Sequence, residues 1–366
     1  MLAKAMVLEQ FEQPLVPHEI ETSPLAPGEV LLRLTAAGVC GSDAHMWHGR
    51  DPRTPLPLIL GHEGIGEIAE TGGAKRDVFG RGVRPGDTVM FERGLTCGQC
   101  YYCVVRKQPY LCPHRRTIGI SISSAEPPHL NGCYAEYLHL RPNNHLIRLD
   151  EDCDPALLVP ACCSGATAAN AVASAGIRGG DTVVVIGPGP LGLFCIALAL
   201  DAGAGQVIAI GTRRSAARLE VCRAFGAAET IVQDDVPADE RAARVRELTR
   251  GIGADVVLDC SGSVAACEEG LQLVAPGGSY LLPGVATPVG EARVPLFEAV
   301  ARRHVSLRGV WVSDTSHLWH AIRAVLSRRH PFELMVTHRF PLRQANEALQ
   351  ALESRQALKA VLLPSA

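Results

Sequence analysis

Four cysteines fall within sixteen positions: Cys97-Gly-Gln-Cys100-Tyr-Tyr-Cys103, then eight residues, then Cys112. Zinc takes four thiolates in a tetrahedron about 2.3 Å from the ion, and Cys-x2-Cys turns bring successive sulfurs to one point with little loop closure. The spacing points to a structural zinc, against the alternative of a disulfide pair or four buried thiols. A sparser metal-capable set stands upstream: Cys40 in Gly38-Val-Cys-Gly-Ser42-Asp43-Ala-His45, and His62 and Glu63 in Gly61-His-Glu-Gly64-Ile-Gly66. Each alone reads as a core or surface residue; their company makes them candidate ligands. A third element, Gly187-Pro-Gly189-Pro190-Leu191-Gly192, has the spacing of a dinucleotide fingerprint.

The elements that must position these groups differ along the chain. Residues 1 to about 150 are rich in Gly and Pro and carry short apolar alternations such as Glu29-Val-Leu-Leu-Arg-Leu, which read as short strands in an irregular β domain. From about residue 153 the pattern becomes Ala-rich helices and apolar strands. Thr182-Val-Val-Val-Ile186 is a buried strand, the glycine string opens a helix running to Ala202, and Gln206-Val-Ile-Ala-Ile210 closes a βαβ unit. In that context Gly187 permits the tight turn, Gly189 lets the backbone approach a pyrophosphate, and Gly192 lets helix and strand pack closely. The phosphates belong at the helix N-terminus, beside Pro190 and Leu191, where unpaired N–H groups favour anions.

The end of the second strand selects the cofactor. An acidic side chain there accepts hydrogen bonds from the ribose 2′-OH, whereas this chain has Gly211-Thr212-Arg213-Arg214. Two guanidinium groups suit a 2′-phosphate, so NADP(H) is favoured over NAD(H). The alternative is that both arginines are simply solvated at the start of the next helix. Further strands are expected at Asp255-Val-Val-Leu-Asp259, Ser279-Tyr-Leu-Leu282 and Val305-Ser-Leu-Arg-Gly-Val-Trp311.

Composition bounds the remaining possibilities. A chain of 366 residues has room for two domains, and a net charge of −3 gives no reason to expect nucleic acid or an anionic membrane as partner. Small molecules are the expected ligands. The N-terminus has no apolar run of signal-peptide length, and the longest apolar stretch, residues 191–200, is about half of what crosses a bilayer. Thirteen cysteines, an odd number, suit a reducing compartment, and a cytoplasmic location is expected.

The motifs together resemble those of the zinc-containing medium-chain dehydrogenase/reductase family, which includes alcohol, sorbitol and threonine dehydrogenases. The resemblance rests on Gly38-Val-Cys-Gly-Ser-Asp43, Gly61-His-Glu-Gly64, the four-cysteine lobe, Gly132-Cys-Tyr-Ala-Glu136, the glycine string and Ala275-Pro-Gly-Gly278. It implies an α/β protein: a GroES-like β-barrel catalytic domain from residues 1–155 and 298–366, and a doubly wound Rossmann nucleotide-binding domain from 156–297, with the active site in the cleft. It implies two zinc ions per chain. The catalytic one is held by Cys40, His62 and a third ligand within Pro160-Ala-Cys162-Cys163-Ser-Gly-Ala-Thr167; the family's spacing to a threonine selects Cys163, with Cys162 as the alternative. Glu63 and Asp43 take positions beside the ion, Asp43 orienting the ligand histidine. In the family a hydroxyl and a histidine relay the alcohol proton; here those positions hold Ser42 and His45. One departure is the lobe, where eight residues rather than the usual seven separate Cys103 from Cys112.

The resemblance places Trp47 and Arg93 in the substrate pocket, and an arginine there hints at a polar or anionic substrate. His48, Arg50 and the polar loop 119–131 fit the same hydrophilic reading. The expected activity is hydride transfer between an alcohol or polyol, or the matching aldehyde or ketone, and NADP(H) or NAD(H), by a homodimer or homotetramer. The alternative is a non-enzymatic, crystallin-like NADPH-binding protein on the same fold.

Overall fold

A computed structural model describes residues 1–151 and 153–365 of the chain. It divides into two compact units: Met1–Cys163 with Asp314–Ile322 and Val336–Ala366, and Ser164–Ser313 with Arg323–Met335.

The first unit is built on a seven-stranded sheet. Its strands run in the order Leu146–Arg148, Thr88–Phe91, Gly64–Thr71, Val30–Val39, Lys359–Leu363 and Val336–Pro341, with Tyr137–Leu140 added to Val30–Val39. The central strand Val30–Val39 is apolar almost throughout and largely buried, as a strand covered on both faces must be. Its two neighbours are both antiparallel to it: Ala37 lies opposite Gly64, and Ala360 lies opposite Val39. The C-terminal end of the central strand therefore meets the N-terminal ends of both neighbours. That corner gathers Cys40, the pair His62 and Glu63, and Lys359. A smaller sheet, Val16–Glu21, Leu2–Leu8 and Leu58–Ile59, packs into the same core, whose fully buried members include Leu8, Leu32, Met46, Phe91 and Tyr134.

The second unit is a six-stranded parallel sheet in the order Glu229–Val232, Gln206–Gly211, Thr182–Ile186, Ala254–Asp259, Val274–Leu282 and Ser306–Gly309. In chain order this is 3-2-1-4-5-6, the doubly wound arrangement expected from the sequence. The helices Pro190–Asp201, Ala216–Ala224, Ala238–Leu248 and Val264–Gly270 alternate with the strands.

The division of the chain differs from the expected bounds at both junctions. The first falls after Cys163 rather than residue 155, because Pro155–Leu158 and Val159–Cys162 pack against the strands Val30–Val39 and Gly64–Thr71. The second falls after Ser313 rather than residue 297, because Ser306–Gly309 pairs in parallel with Val274–Leu282, Ser279 opposite Ser306. The strand was legible; its sheet was not, since pairing partners leave no mark on local pattern.

Among the described residues no single helix is long and apolar enough to cross a membrane.

Candidate active site

The donor atoms of Cys40, His62, Glu63 and Cys163 all lie within 4.8 Å of one another. The sulfurs of Cys40 and Cys163 are 3.9 Å apart, close to the edge of about 3.8 Å that a tetrahedron with 2.3 Å bonds requires, and far from a disulfide. Cys163 is the member of the doubled cysteine that joins this group. The buried Cys162 thiol turns the other way and donates to the Gly64 carbonyl at 3.4 Å.

His62 is buried, and neither ring nitrogen has a hydrogen-bond partner within the protein. Its Nδ1 stands 3.3 Å from Asp43 Oδ1, and the other oxygen of Asp43 accepts from the Cys40 backbone N–H at 2.8 Å and from the Tyr134 hydroxyl at 3.1 Å. Asp43 is thereby locked and turns the imidazole so that Nε2 faces the two sulfurs. A buried, unpartnered Nε2 is costly unless something binds it, and a metal ion held with the two thiols would be such a partner. Burial disfavours the imidazolium, but the Asp43 carboxylate outweighs it and holds the group up at about 9 when no metal is bound. Zinc loading must therefore displace protons. Between the paired thiols, Cys163 is pulled down by the hydrogen bond from Cys40, against burial and with help from the Arg93 guanidinium, while Cys40 is pushed up.

Glu63 is fully buried beside its neighbour His62, and Lys359 Nζ lies 2.8 Å from one oxygen and 2.7 Å from the other. Lys359 is 1% exposed. Gly38 makes room for the pair: a Cβ there would stand 2.1 Å from Glu63 Oε2.

The helix Gly41–Trp47 starts at Cys40 and carries Ser42 and His45 three residues apart, on one face. Ser42 Oγ is 3.4 Å from Cys40 Sγ. His45 is half-buried and is pulled below its ordinary range by burial and by the nearby charge of Arg50, which keeps it neutral at pH 7 and able to accept a proton.

The expected pocket groups are placed differently. Arg93 is 3% exposed and donates to the Cys162 carbonyl, with its charge against Cys163, Glu92 and Glu63. Its guanidinium is thus engaged with the protein around Cys162 and Cys163. The indole N–H of Trp47 donates to the Gln13 carbonyl at 2.7 Å, and its ring packs on the core. His48 is held by Glu353 at 2.6 Å and Glu12 at 3.3 Å. Within the loop 119–131, Asn131 is buried and donates to the carbonyls of Ser123 and Glu126. Of the expected pocket groups, Arg93 and Asn131 are buried, Trp47 and His48 are partly buried, and Arg50 is exposed.

The second cysteine group is closed. The donor atoms of Cys97, Cys100, Cys103 and Cys112 lie within 4.8 Å of one another, with Cys100 and Cys103 sulfurs 3.5 Å apart and Cys97 and Cys112 3.6 Å apart. The backbone N–H groups of Gln99 and Cys100 turn towards the Cys97 sulfur and pull that thiol down to about 6, while burial pushes Cys103 up to about 11 and Cys112 upward as well. Between the short helices Tyr101–Val104 and Pro109–Leu111, Lys107 takes a left-handed φ of 56°. All four cysteines stay together, and the cluster fits a structural zinc.

In the second unit the glycine string behaves as its spacing implies. Gly187 has a φ of +100°, and a Cβ at Gly192 would lie 2.1 Å from the Gly187 carbonyl oxygen. Nothing stands within 4 Å of a Cβ on Gly189, which leaves its face open for a pyrophosphate at the start of the helix Pro190–Asp201, beside Leu191. At the end of the neighbouring strand, Thr212 Oγ1 contacts Ser215 Oγ at 3.2 Å, and Arg213 and Arg214 are exposed. The expectation of a place without carboxylates holds only along the chain. The fold brings Asp234 and Asp235 there from beyond the strand Glu229–Val232: Asp234 accepts from the Arg213 backbone N–H and Asp235 pairs with its guanidinium.

Residues 26–151 match the family model described as the alcohol dehydrogenase GroES-like domain, and residues 190–328 match that described as zinc-binding dehydrogenase. An alcohol dehydrogenase from Thermotoga maritima, solved as a crystal structure, is 42% identical with a TM-score of 0.95 over the whole of both chains. The sorbitol dehydrogenase of Halalkalibacterium halodurans is 33% identical over 340 residues, 92% of each chain. The 5-exo-hydroxycamphor dehydrogenase of Pseudomonas putida is 32% identical over 342 residues, again 92% of each. The chain belongs to the zinc-containing medium-chain dehydrogenase/reductase family. It is an oxidoreductase of the alcohol dehydrogenase type, with a GroES-like unit and a Rossmann unit, and its family uses a nucleotide cofactor.

Lys359, Tyr134 and the two aspartates were missed by reading the sequence. For Lys359 a signal existed: a single cation opening the apolar run Lys359–Leu363 is anomalous unless it is paired. Lys359→Met in the zinc-loaded protein leaves the Glu63 carboxylate buried without a cation and is expected to cost about 3–5 kcal/mol. Pairing it with Glu63→Gln should recover most of that loss in thermal or denaturant melts. A single variant as stable as the parent would contradict the pairing.

Proposed function

We propose that this enzyme oxidises a neutral alcohol or polyol, or reduces the matching carbonyl, with NADP(H) as the preferred cofactor. The observation that carries the reading is the donor set of Cys40, His62 and Cys163, with Glu63 in the same group but paired to Lys359 and with Asp43 facing His62, alongside a separate lobe of four cysteines. Three protein ligands are what a catalytic zinc needs, and four thiolates are what a structural one needs. A zinc ion in the open site supplies Lewis-acid polarisation of the alcohol oxygen, and the nicotinamide supplies the hydride acceptor.

The remaining roles fall to the chain's own side chains. Asp43 holds His62 in the tautomer that presents Nε2, and Glu63, held by Lys359, keeps a negative charge beside the ligands. Ser42, next to the Cys40 sulfur, takes the alcohol proton and passes it towards His45, whose neutral imidazole accepts it. Because Arg93 is buried against Cys162 and Cys163, an uncharged substrate suits the site better than an anionic one. Sorbitol and hydroxycamphor, named for two relatives, are uncharged.

Arg213 and Arg214 support NADP(H), the first by exchanging its carboxylate partner for a 2′-phosphate. The edge strand Ser306–Gly309 supports a homodimer: all four residues are exposed, Leu307 is 43% exposed, and an unpaired edge invites the same strand of a second copy.

A panel of neutral and anionic alcohols and carbonyls, followed by cofactor absorbance, tests the substrate class. Neutral alcohols should turn over and their carboxylate- or phosphate-bearing analogues should not; a preference for the anionic members would overturn the reading of Arg93. His45→Gln should slow alcohol oxidation about 10- to 100-fold at neutral pH, and the deficit should shrink as pH rises and solvent hydroxide accepts the proton. A deficit independent of pH would remove His45 from the relay.

A further inference from the structure

We propose that Asp235 sets the cofactor preference of this enzyme by competing with the 2′-phosphate for Arg213, an inference that rests on Arg213 serving as the 2′-phosphate subsite. The sequence around Arg213 shows only cations, yet the sheet order places the residues after Glu229–Val232 beside the end of Gln206–Gly211. The Gln233 N–H donates to the Gly211 carbonyl at 2.8 Å and fixes that neighbourhood. Asp234 then takes the Arg213 backbone N–H, and Asp235 takes the side chain, with Arg213 Nε 3.1 Å from its Oδ1.

The two levels of this arrangement differ in firmness. Beneath it, Arg241 is 8% exposed, donates to the carbonyls of Gln233 and Val236, and pairs with Glu269, its Nε 2.5 Å from Oε1. Two donations from this buried guanidinium, to the carbonyls of Gln233 and Val236, pin both ends of the turn that carries Asp234 and Asp235, and two more to Glu269 anchor the guanidinium itself. Above it, the Arg213–Asp235 pair is exposed, 71% and 50% by side chain, and such a pair contributes little in water. The guanidinium is therefore exchangeable and the carboxylate is not mobile. A 2′-phosphate, with more charge and three acceptor oxygens, displaces the carboxylate from Arg213. Asp235 stays on its pinned turn, where it stands as a like charge beside the bound phosphate. For a cofactor without the phosphate, the same carboxylate is an acceptor for a ribose hydroxyl. Arg213 and Asp235 thus pull the preference in opposite directions.

The test is a double-mutant cycle on the full-length, zinc-loaded enzyme, titrated calorimetrically with 2′,5′-ADP and with 5′-AMP as cofactor fragments. Asp235→Asn keeps the shape of the turn and should tighten 2′,5′-ADP about five- to tenfold without tightening 5′-AMP. Arg213→Ala should weaken 2′,5′-ADP about tenfold, and in that background Asp235→Asn should lose its effect. If Asp235→Asn changes nothing or weakens 2′,5′-ADP while Arg213→Ala still weakens it, the competition is wrong and the subsite stands. If Arg213→Ala leaves both fragments unaffected, the subsite itself is wrong and the inference falls with it. Tightening by Asp235→Asn that persists without Arg213 would reduce the effect to bulk charge and would also overturn the proposal.

Discussion

The register of the strand Val30–Val39 against its two antiparallel neighbours is the constraint on which the metal corner depends. Ala37 opposite Gly64 and Ala360 opposite Val39 put three strand ends at one point, and each end delivers a functional side chain. A one-residue slip on either side would send His62 or Lys359 to the other face of the sheet. The register is held by the apolar run on the central strand, by Gly38, whose missing side chain leaves space for Glu63, and by the Gly38 N–H bonded to the Glu63 carbonyl at 3.1 Å. Packing at the core of the first unit and placement of metal donors are thus one property.

That corner concentrates buried charge. Asp43 and Glu63 are fully buried carboxylates within one cluster, and each survives there by a different arrangement. One oxygen of Asp43 accepts from a backbone N–H and a tyrosine hydroxyl while the other faces the His62 imidazole at 3.3 Å; Glu63 is paired with a lysine drawn from near the C-terminus of the chain. Arg93 adds a third buried charge, facing the thiol of Cys163. Buried ions are weak sources of stability but strong sources of geometry, because a misplaced partner leaves an uncompensated charge. Here they surround two sulfurs and one imidazole nitrogen whose donor atoms lie close together.

Much of this was legible in the sequence, for identifiable reasons. The Cys-x2-Cys knuckle, the glycine string after a buried strand, and the motifs around Cys40 and His62 are local, so spacing alone reports them. What the sequence hid was long-range. Lys359 lies 296 positions from Glu63, and only sheet pairing joins them. Asp234 and Asp235 reach Arg213 from the next strand, so a reading along the chain saw two cations where the fold has an ion pair. Position along the chain suggests Arg93 and Trp47 as pocket residues, but it does not show that Arg93 is buried or that each donates to a backbone carbonyl. The strand before Val310 was seen as a strand and assigned to the wrong unit for the same reason.

We propose that one chain builds two zinc sites of different openness from two cysteine clusters. Anomalous diffraction recorded at the zinc edge from crystals of the purified enzyme tests it most directly. Two zinc peaks per chain are expected, one surrounded by the sulfurs of Cys97, Cys100, Cys103 and Cys112, the other bonded to Cys40, His62 and Cys163 with a non-protein atom in the remaining position. A single peak confined to the four-cysteine lobe, or a second ion bound to Cys162 in place of Cys163, would contradict it.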